Sequence, residues 1–138
     1  MKAHYKRYVL NFKRPGRTSR GVLLEKEIWF LFLTDGQRKG VGECGLFRGL
    51  SIDDREDYED QLKSLCRRIN ENEEITQEEL QSFPSIQMGY EMALMSIKSN
   101  NTFELFPSEF TKGEGSIPIN GLVWMGDPLF MKSQIDEK

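Results

Sequence analysis

Residues 5–12 alternate polar and apolar, with Tyr8, Leu10 and Phe12 on one face, and this pattern predicts a first strand that Arg14-Pro15-Gly16 stops. From Val22 to Leu33 the chain is rich in β-branched and aromatic residues. Ile28-Trp29-Phe30-Leu31-Phe32-Leu33 is apolar on both faces, as a covered strand requires. Asp35-Gly36 predicts a tight turn into a third strand over Arg38 to Cys44, completing a three-stranded antiparallel meander.

Beyond Leu50 the period becomes helical. Tyr58, Leu62, Leu65 and Ile69 recur among charges, predicting a helix over 52–69, with Ser51 and Asp54 spaced as a capping box. Thr76-Gln77-Glu78-Glu79 predicts a second, short helix, and Pro84 suits the first turn of a third that runs to Lys98. Ile86, Met88, Met92, Ala93, Leu94, Met95 and Ile97 leave that third helix little polar face, so it is expected to be buried on most sides, its methionines serving as core. Gly89 is expected to admit another backbone closely. Residues 117–123 read as a further strand, and Asp127-Pro128 as the capped start of a helix with Phe130, Met131 and Ile135 on its apolar stripe. The fold class is α+β: the meander, a helical bundle, then one strand and part of one helix. A strand-then-helix unit ordinarily continues to a parallel strand, so the chain is expected to be truncated, with one domain over 1–113 and the start of another over 114–138.

Composition narrows the function. The 138 residues are 38% hydrophobic and 30% charged, as in a soluble globular protein, and the net charge of -3 is spread along the chain, which argues against nucleic acid as a partner. No apolar run reaches the ~18 residues of a membrane span and no cleavable leader is evident, so no membrane association and a cytoplasmic location are expected. Cys44 and Cys66 have no metal-ligand spacing and are expected to be reduced.

Three segments carry a resemblance. Gly40-Val41-Gly42-Glu43-Cys44-Gly45, Phe103-Glu104-Leu105-Phe106 and Ile117-Pro118-Ile119-Asn120-Gly121-Leu122 occur in the order and wording that resemble the start of enolase-superfamily proteins, most of all the o-succinylbenzoate synthases. The resemblance covers nearly the whole chain. It implies that 1–113 is an N-terminal capping domain and 114–138 the start of a truncated (β/α) barrel. It further implies a carbon-oxygen lyase of menaquinone biosynthesis that dehydrates a small-molecule carboxylate. In such a protein a divalent metal, Mg2+, neutralises the charge that develops while a barrel lysine removes a proton next to the carboxylate. Those lysines and metal ligands belong to later barrel strands. No catalytic residue and no metal ligand is therefore assigned within this chain, which by itself is expected to be inactive and to bind no metal. A dipeptide epimerase or muconate cycloisomerase-like member is the alternative within the superfamily, and a self-standing, non-catalytic α+β binding module the alternative outside it. A homo-oligomer is compatible with either.

The resemblance also locates two capping-domain loops that would close over a barrel mouth. The first spans 13–21, where four cations and two hydroxyls in nine residues suit a carboxylate substrate, and Arg17, Ser19 and Arg20 are its candidate substrate-binding residues. The second spans 44–50, where Leu46 and Phe47 are candidates for an apolar lid. Asn120, on the expected barrel strand, is the remaining candidate. Glu43, ending a capping-domain strand, is not read as a metal ligand, and His4 lacks the partners of a catalytic histidine.

Overall fold

The structure is a computed structural model that describes residues 1–18 and 21–137. Three strands, β1 (Lys2–Thr18), β2 (Gly21–Thr34) and β3 (Lys39–Gly45), form one antiparallel sheet in the order β1-β2-β3. They are followed by α1 (Tyr58–Asn70), α2 (Gln77–Leu80), α3 (Pro84–Lys98) and α4 (Pro128–Asp136). Two compact units result, one of Met1–Val9 with Glu27–Pro107, the other of Leu10–Lys26 with Ser108–Lys138.

In the first unit the register of β2 against β3 sets Trp29 opposite Cys44, Leu31 opposite Gly42 and Leu33 opposite Gly40. Directly paired residues share a sheet face. Trp29, Leu31 and Leu33 are therefore large buried side chains flanked by a strip of small ones, and α3 lies along that strip. Leu62, Leu65 and Ile69 of α1, with Ile86, Ala93 and Ile97 of α3, complete the core. The turn at Asp35 holds as expected: its carboxylate accepts the backbone N–H groups of Gln37 (3.0 Å) and Arg38 (2.8 Å), and Gly36 adopts φ +97°. Helix α1 is followed by Asn72, left-handed at φ +60°, which turns the chain away, with Asn72 N–H bonded to Ile69 O and Glu73 N–H to Arg68 O. On the edge strand β1, the Asn70 amide bonds both backbone groups of Ala3, at 2.7 and 3.1 Å.

Four expectations are corrected. Strand β1 does not stop at Pro15 but continues to Thr18, which an edge strand allows because a proline there need not donate to the ladder. Helix α1 starts at Tyr58 rather than near 52, because the side chains expected to cap it bond elsewhere: Ser51 Oγ accepts Phe47 N–H at 2.8 Å and Asp54 accepts Gly49 N–H at 2.6 Å. Met88 and Met95 of α3 are 53% and 37% exposed, so this helix is covered less completely than its sequence suggests. Residues 117–123 form no strand: among the described residues none lies beside them in a ladder, and a strand exists only by pairing its backbone groups.

Within the second unit α4 begins as expected, with Pro128 in the first turn and the Asp127 carboxylate accepting Phe130 N–H at 3.0 Å. Gln134 reaches back from α4 and clamps the backbone of Trp124, accepting its N–H at 2.8 Å and donating to its carbonyl at 2.9 Å. Ile119, Leu122 and Leu129 are 85%, 71% and 81% exposed, so this unit leaves much of its apolar surface in solvent.

Candidate functional site

The loop after β3 is fixed by charge. Glu27, on β2, accepts from Arg7 and, at 2.6 Å, from Arg48 Nε, while Arg48 Nη1 donates to Asp54 at 2.7 Å. The guanidinium also lies 5.7 Å from the Trp29 ring centre. Leu50 and Ser51 both donate their backbone N–H to Phe47 O, at 3.1 and 2.9 Å, and Gly49 adopts φ +72°. Leu46 is only 1% exposed and belongs to the core, which corrects its reading as lid surface: its position directly after β3 keeps it packed inward. Phe47 is 36% and Leu50 41% exposed, and these are the apolar side chains that the loop presents.

Solvation and ion pairing oppose each other at Glu27. Partial burial pushes its carboxyl pKa up, but hydrogen bonds from Arg48 and Arg7 and their charges outweigh this and leave it below the ordinary glutamate value. Asp54 is likewise lowered, first by the Gly49 N–H and then by Arg48. Carboxyls with depressed folded pKa values contribute stability that is complete above their unfolded values, near pH 4, and is lost as pH falls through the folded ones. Arg48→Ala is expected to cost about 1 kcal/mol at pH 7, a modest figure because Arg48 is half exposed to screening solvent. It should also flatten the stability loss below pH 4. Urea midpoints at pH 7 and pH 3 measure both, and an unchanged acid slope in the variant would refute this account of the loop.

In the second unit the predicted and the overlooked residues meet. Arg17, in β1, is exposed and lines a concavity of about 340 Å³ together with Arg14, Pro15, Trp124 and Phe130. A neighbouring hollow of about 610 Å³ is lined by Phe12, Lys13, Arg14, Trp124, Phe130 and Gln134, among others. Trp124 is pinned from β1: its Nε1–H donates to Pro15 O at 3.3 Å, and its indole lies beside Gly16. Ser19 and Arg20 lie outside the described residues. Asn120 is exposed in an irregular segment and lines neither hollow. Sequence reasoning set Arg14 aside in favour of Arg17, gave Phe130 only a place on an apolar helix stripe and did not single out Trp124; the available signal was the aromatic pair either side of the Asp127-Pro128 cap.

Among the described residues no three His, Cys, Asp or Glu side chains come together as metal ligands. Glu27 and Asp54, the two carboxylates that bond Arg48 of the second loop, are engaged by arginine and backbone N–H, so these two residues do not fit a Mg2+ site. The free thiols Cys44 and Cys66 are buried, and burial pushes them up to about 12 and about 11. Among the described residues no helix is long and apolar enough to cross a membrane.

No model of a known protein family matches the chain. The o-succinylbenzoate synthase of Desulfotalea psychrophila is 36% identical over 169 aligned positions, covering 100% of this chain and 46% of that protein. MenC from Desulfotalea psychrophila LSv54, a crystal structure, superposes with a TM-score of 0.76 at 32% identity, covering 99% of this chain and 45% of that one. The o-succinylbenzoate synthase of Thermosynechococcus elongatus BP-1, solved with Mg in its active site, shares the fold at a TM-score of 0.55 and 22% identity over 72% of this chain and 31% of its own. An Agrobacterium tumefaciens enolase family member with homology to dipeptide epimerases shares it at 0.64 and 18% identity, over 98% of this chain and 42% of its own. The chain spans about half the length of the curated relative it matches. Over its whole length the chain is similar to the o-succinylbenzoate synthase of Desulfotalea psychrophila, and its three-stranded sheet and helices match the N-terminal capping-domain fold of the MenC-like structures.

Proposed function

We propose that this chain supplies the capping part of an o-succinylbenzoate synthase-like enzyme, a carbon-oxygen lyase that dehydrates a cyclohexadiene carboxylate in the cytoplasm on the way to menaquinone. The observation that carries this reading is the 36% identity to one such synthase along the entire chain. The dipeptide epimerase alternative rests on fold likeness at 18% identity, which is weaker support. The proposed boundary between capping domain and barrel falls at 113/114. Proton abstraction and Mg2+ binding are assigned to a barrel, where the resemblance puts the lysines and the metal ligands. The capping part contributes to substrate selection, with Phe47 the candidate for an apolar group and Arg17, Ser19, Arg20 and Asn120, each taken by itself, the candidates for polar ones.

Assayed alone with magnesium, the chain is expected to give no dehydration above a no-protein control. Joined to the remaining length of the Desulfotalea synthase, it should support dehydration, and Phe47→Ala in that chimera should raise KM while leaving kcat nearly unchanged. Turnover by the chain alone that survives re-purification would overturn the assignment of chemistry to the barrel. A folded chimera that epimerises L-Ala-L-Glu and does not dehydrate would favour the alternative.

A further inference from the structure

Helix α3 turns Gln87, Tyr90, Glu91 and Leu94 toward α2, at the i, i+3, i+4 and i+7 spacing of a single helix face. Packing alone favours four apolar side chains there, yet a carboxylate and an amide interrupt the row. Together with Ile75 and Leu80 they enclose a cavity of about 170 Å³ inside the first unit. Leu80 is buried, and Ile75, Tyr90 and Leu94 pack against the core, so the floor is apolar and anchored. Glu79 holds the α2 wall by accepting Thr76 N–H at 2.9 Å and pairing with Arg68 at 2.9 Å. Glu91 is half-buried, and its one side-chain hydrogen bond among the described residues comes from the neutral Gln87 amide, at 2.9 Å to Oε1. No cation pairs with it among those residues. The Tyr90 hydroxyl likewise has no partner among them, and burial pushes its phenol above the ordinary value, so it stays a neutral acceptor. The arginines of α1 do not make up the deficit, because Arg67 and Arg68 pair with Glu71, Glu73 and Glu79. Glu74 and Glu78 also lack an ion pair among the described residues, so the field around the cavity disfavours an anionic occupant.

We infer that this cavity binds a small linear alkylamine, with Glu91 holding the ammonium group and Ile75, Leu80 and Leu94 covering the methylenes. The volume falls below the ~300–1,000 Å³ of ordinary ligand sites, which restricts the occupant to a few heavy atoms. An ammonium is a compact cation with three donors, matched to one carboxylate and one hydroxyl, and the ring of Tyr90 attracts it as well. Its alkyl chain lies on the apolar floor as a lysine stem does on a protein surface. Binding of this kind requires neither turnover nor any barrel residue.

The probe is n-butylammonium chloride, titrated into the full 138-residue chain and followed by amide NMR shifts. Saturable shifts confined to residues 75–80 and 87–94 are expected, with a midpoint in the millimolar range because so few atoms are buried. Neither n-butanol, which has the same chain without the charge, nor sodium chloride at equal concentration should reproduce them. Glu91→Gln keeps the shape and an acceptor for Gln87 while removing the charge, and should weaken binding about fivefold or more; Tyr90→Phe should weaken it about twofold. Glu78→Gln, which removes a charge that does not line the cavity, should change it less than about twofold. Shifts that never saturate, equal shifts with n-butanol, or parental affinity in Glu91→Gln would overturn the inference. If Glu91→Gln does not fold, the butanol and sodium chloride comparisons on the unmodified chain decide the matter. Tighter binding of an Nα-acetyl-lysine amide than of n-butylammonium would make a protein lysine the occupant and overturn the assignment to a free amine.

Discussion

Gly42→Ala is expected to destabilise the protein by about 3 kcal/mol or more, a large fraction of the ~5–15 kcal/mol that holds an ordinary domain together. A methyl group at this position would sit 1.8 Å from Gly89 O, 2.7 Å from Gly89 C and 2.9 Å from Ala93 N. All three are backbone atoms of α3, so no side chain can rotate away and relief requires the whole helix to lift from β3. Lifting it uncovers Leu31, which lies opposite Gly42 and is fully buried. Gly36→Ala is the control. Gly36 has φ +97° and open space around it, so alanine there meets only backbone strain, on the order of 1 kcal/mol. Urea unfolding followed by circular dichroism would measure both, and a Gly42→Ala protein no less stable than Gly36→Ala would show that β3 and α3 are not in the close contact described.

That contact changes what the Gly40-to-Gly45 motif signifies. In sequence it serves as a family signature, and the glycines carry no evident chemistry. In the structure Gly40 and Gly42 face α3, where Gly89 in turn leaves room for Cys44, whose Sγ lies 2.2 Å from the place a Gly89 Cβ would occupy. The meander and the helices were legible because alternation and helical period each reflect one buried face, and short-range turn chemistry located Asp35-Gly36. What the sequence concealed depends on groups distant along the chain. Asp54 and Ser51 look like caps because of their spacing, yet Gly49 and Phe47 claim their oxygens first. Leu46 and Phe47 are adjacent and equally apolar, and only tertiary packing separates the buried one from the exposed one. Arg14 and Trp124 are 110 positions apart, so nothing local could bring them to one hollow.

Asp53→Ala is expected to cost about 2–3 kcal/mol, because this side chain serves as the missing cap of a helix 32 positions further on. Helix α3 begins at Pro84 behind Phe83, a residue that offers no side-chain acceptor to the first turn. Asp53 Oδ2 fills that role at 2.8 Å from Ser85 N–H, and Tyr58 OH lies 2.7 Å from Ser85 Oγ beside it. The carboxylate is 1% exposed and its bond to Ser85 partly buried, so alanine would remove the protein partner of a half-buried N–H, in addition to removing a negative charge from the positive end of a helix. Asp53→Asn keeps an acceptor of the same shape while removing the charge. Its expected cost, about 1 kcal/mol, separates the hydrogen bond from the charge–dipole attraction. Hydrogen exchange at Ser85 and the residues that follow should quicken more in the alanine variant than in the asparagine one, with urea midpoints falling in the same order. An alanine variant within 0.5 kcal/mol of the parent would mean that the first turn of α3 is satisfied without Asp53. The 51–57 segment would then be a spacer rather than the clasp that joins the loop after β3 to the helix lying across it.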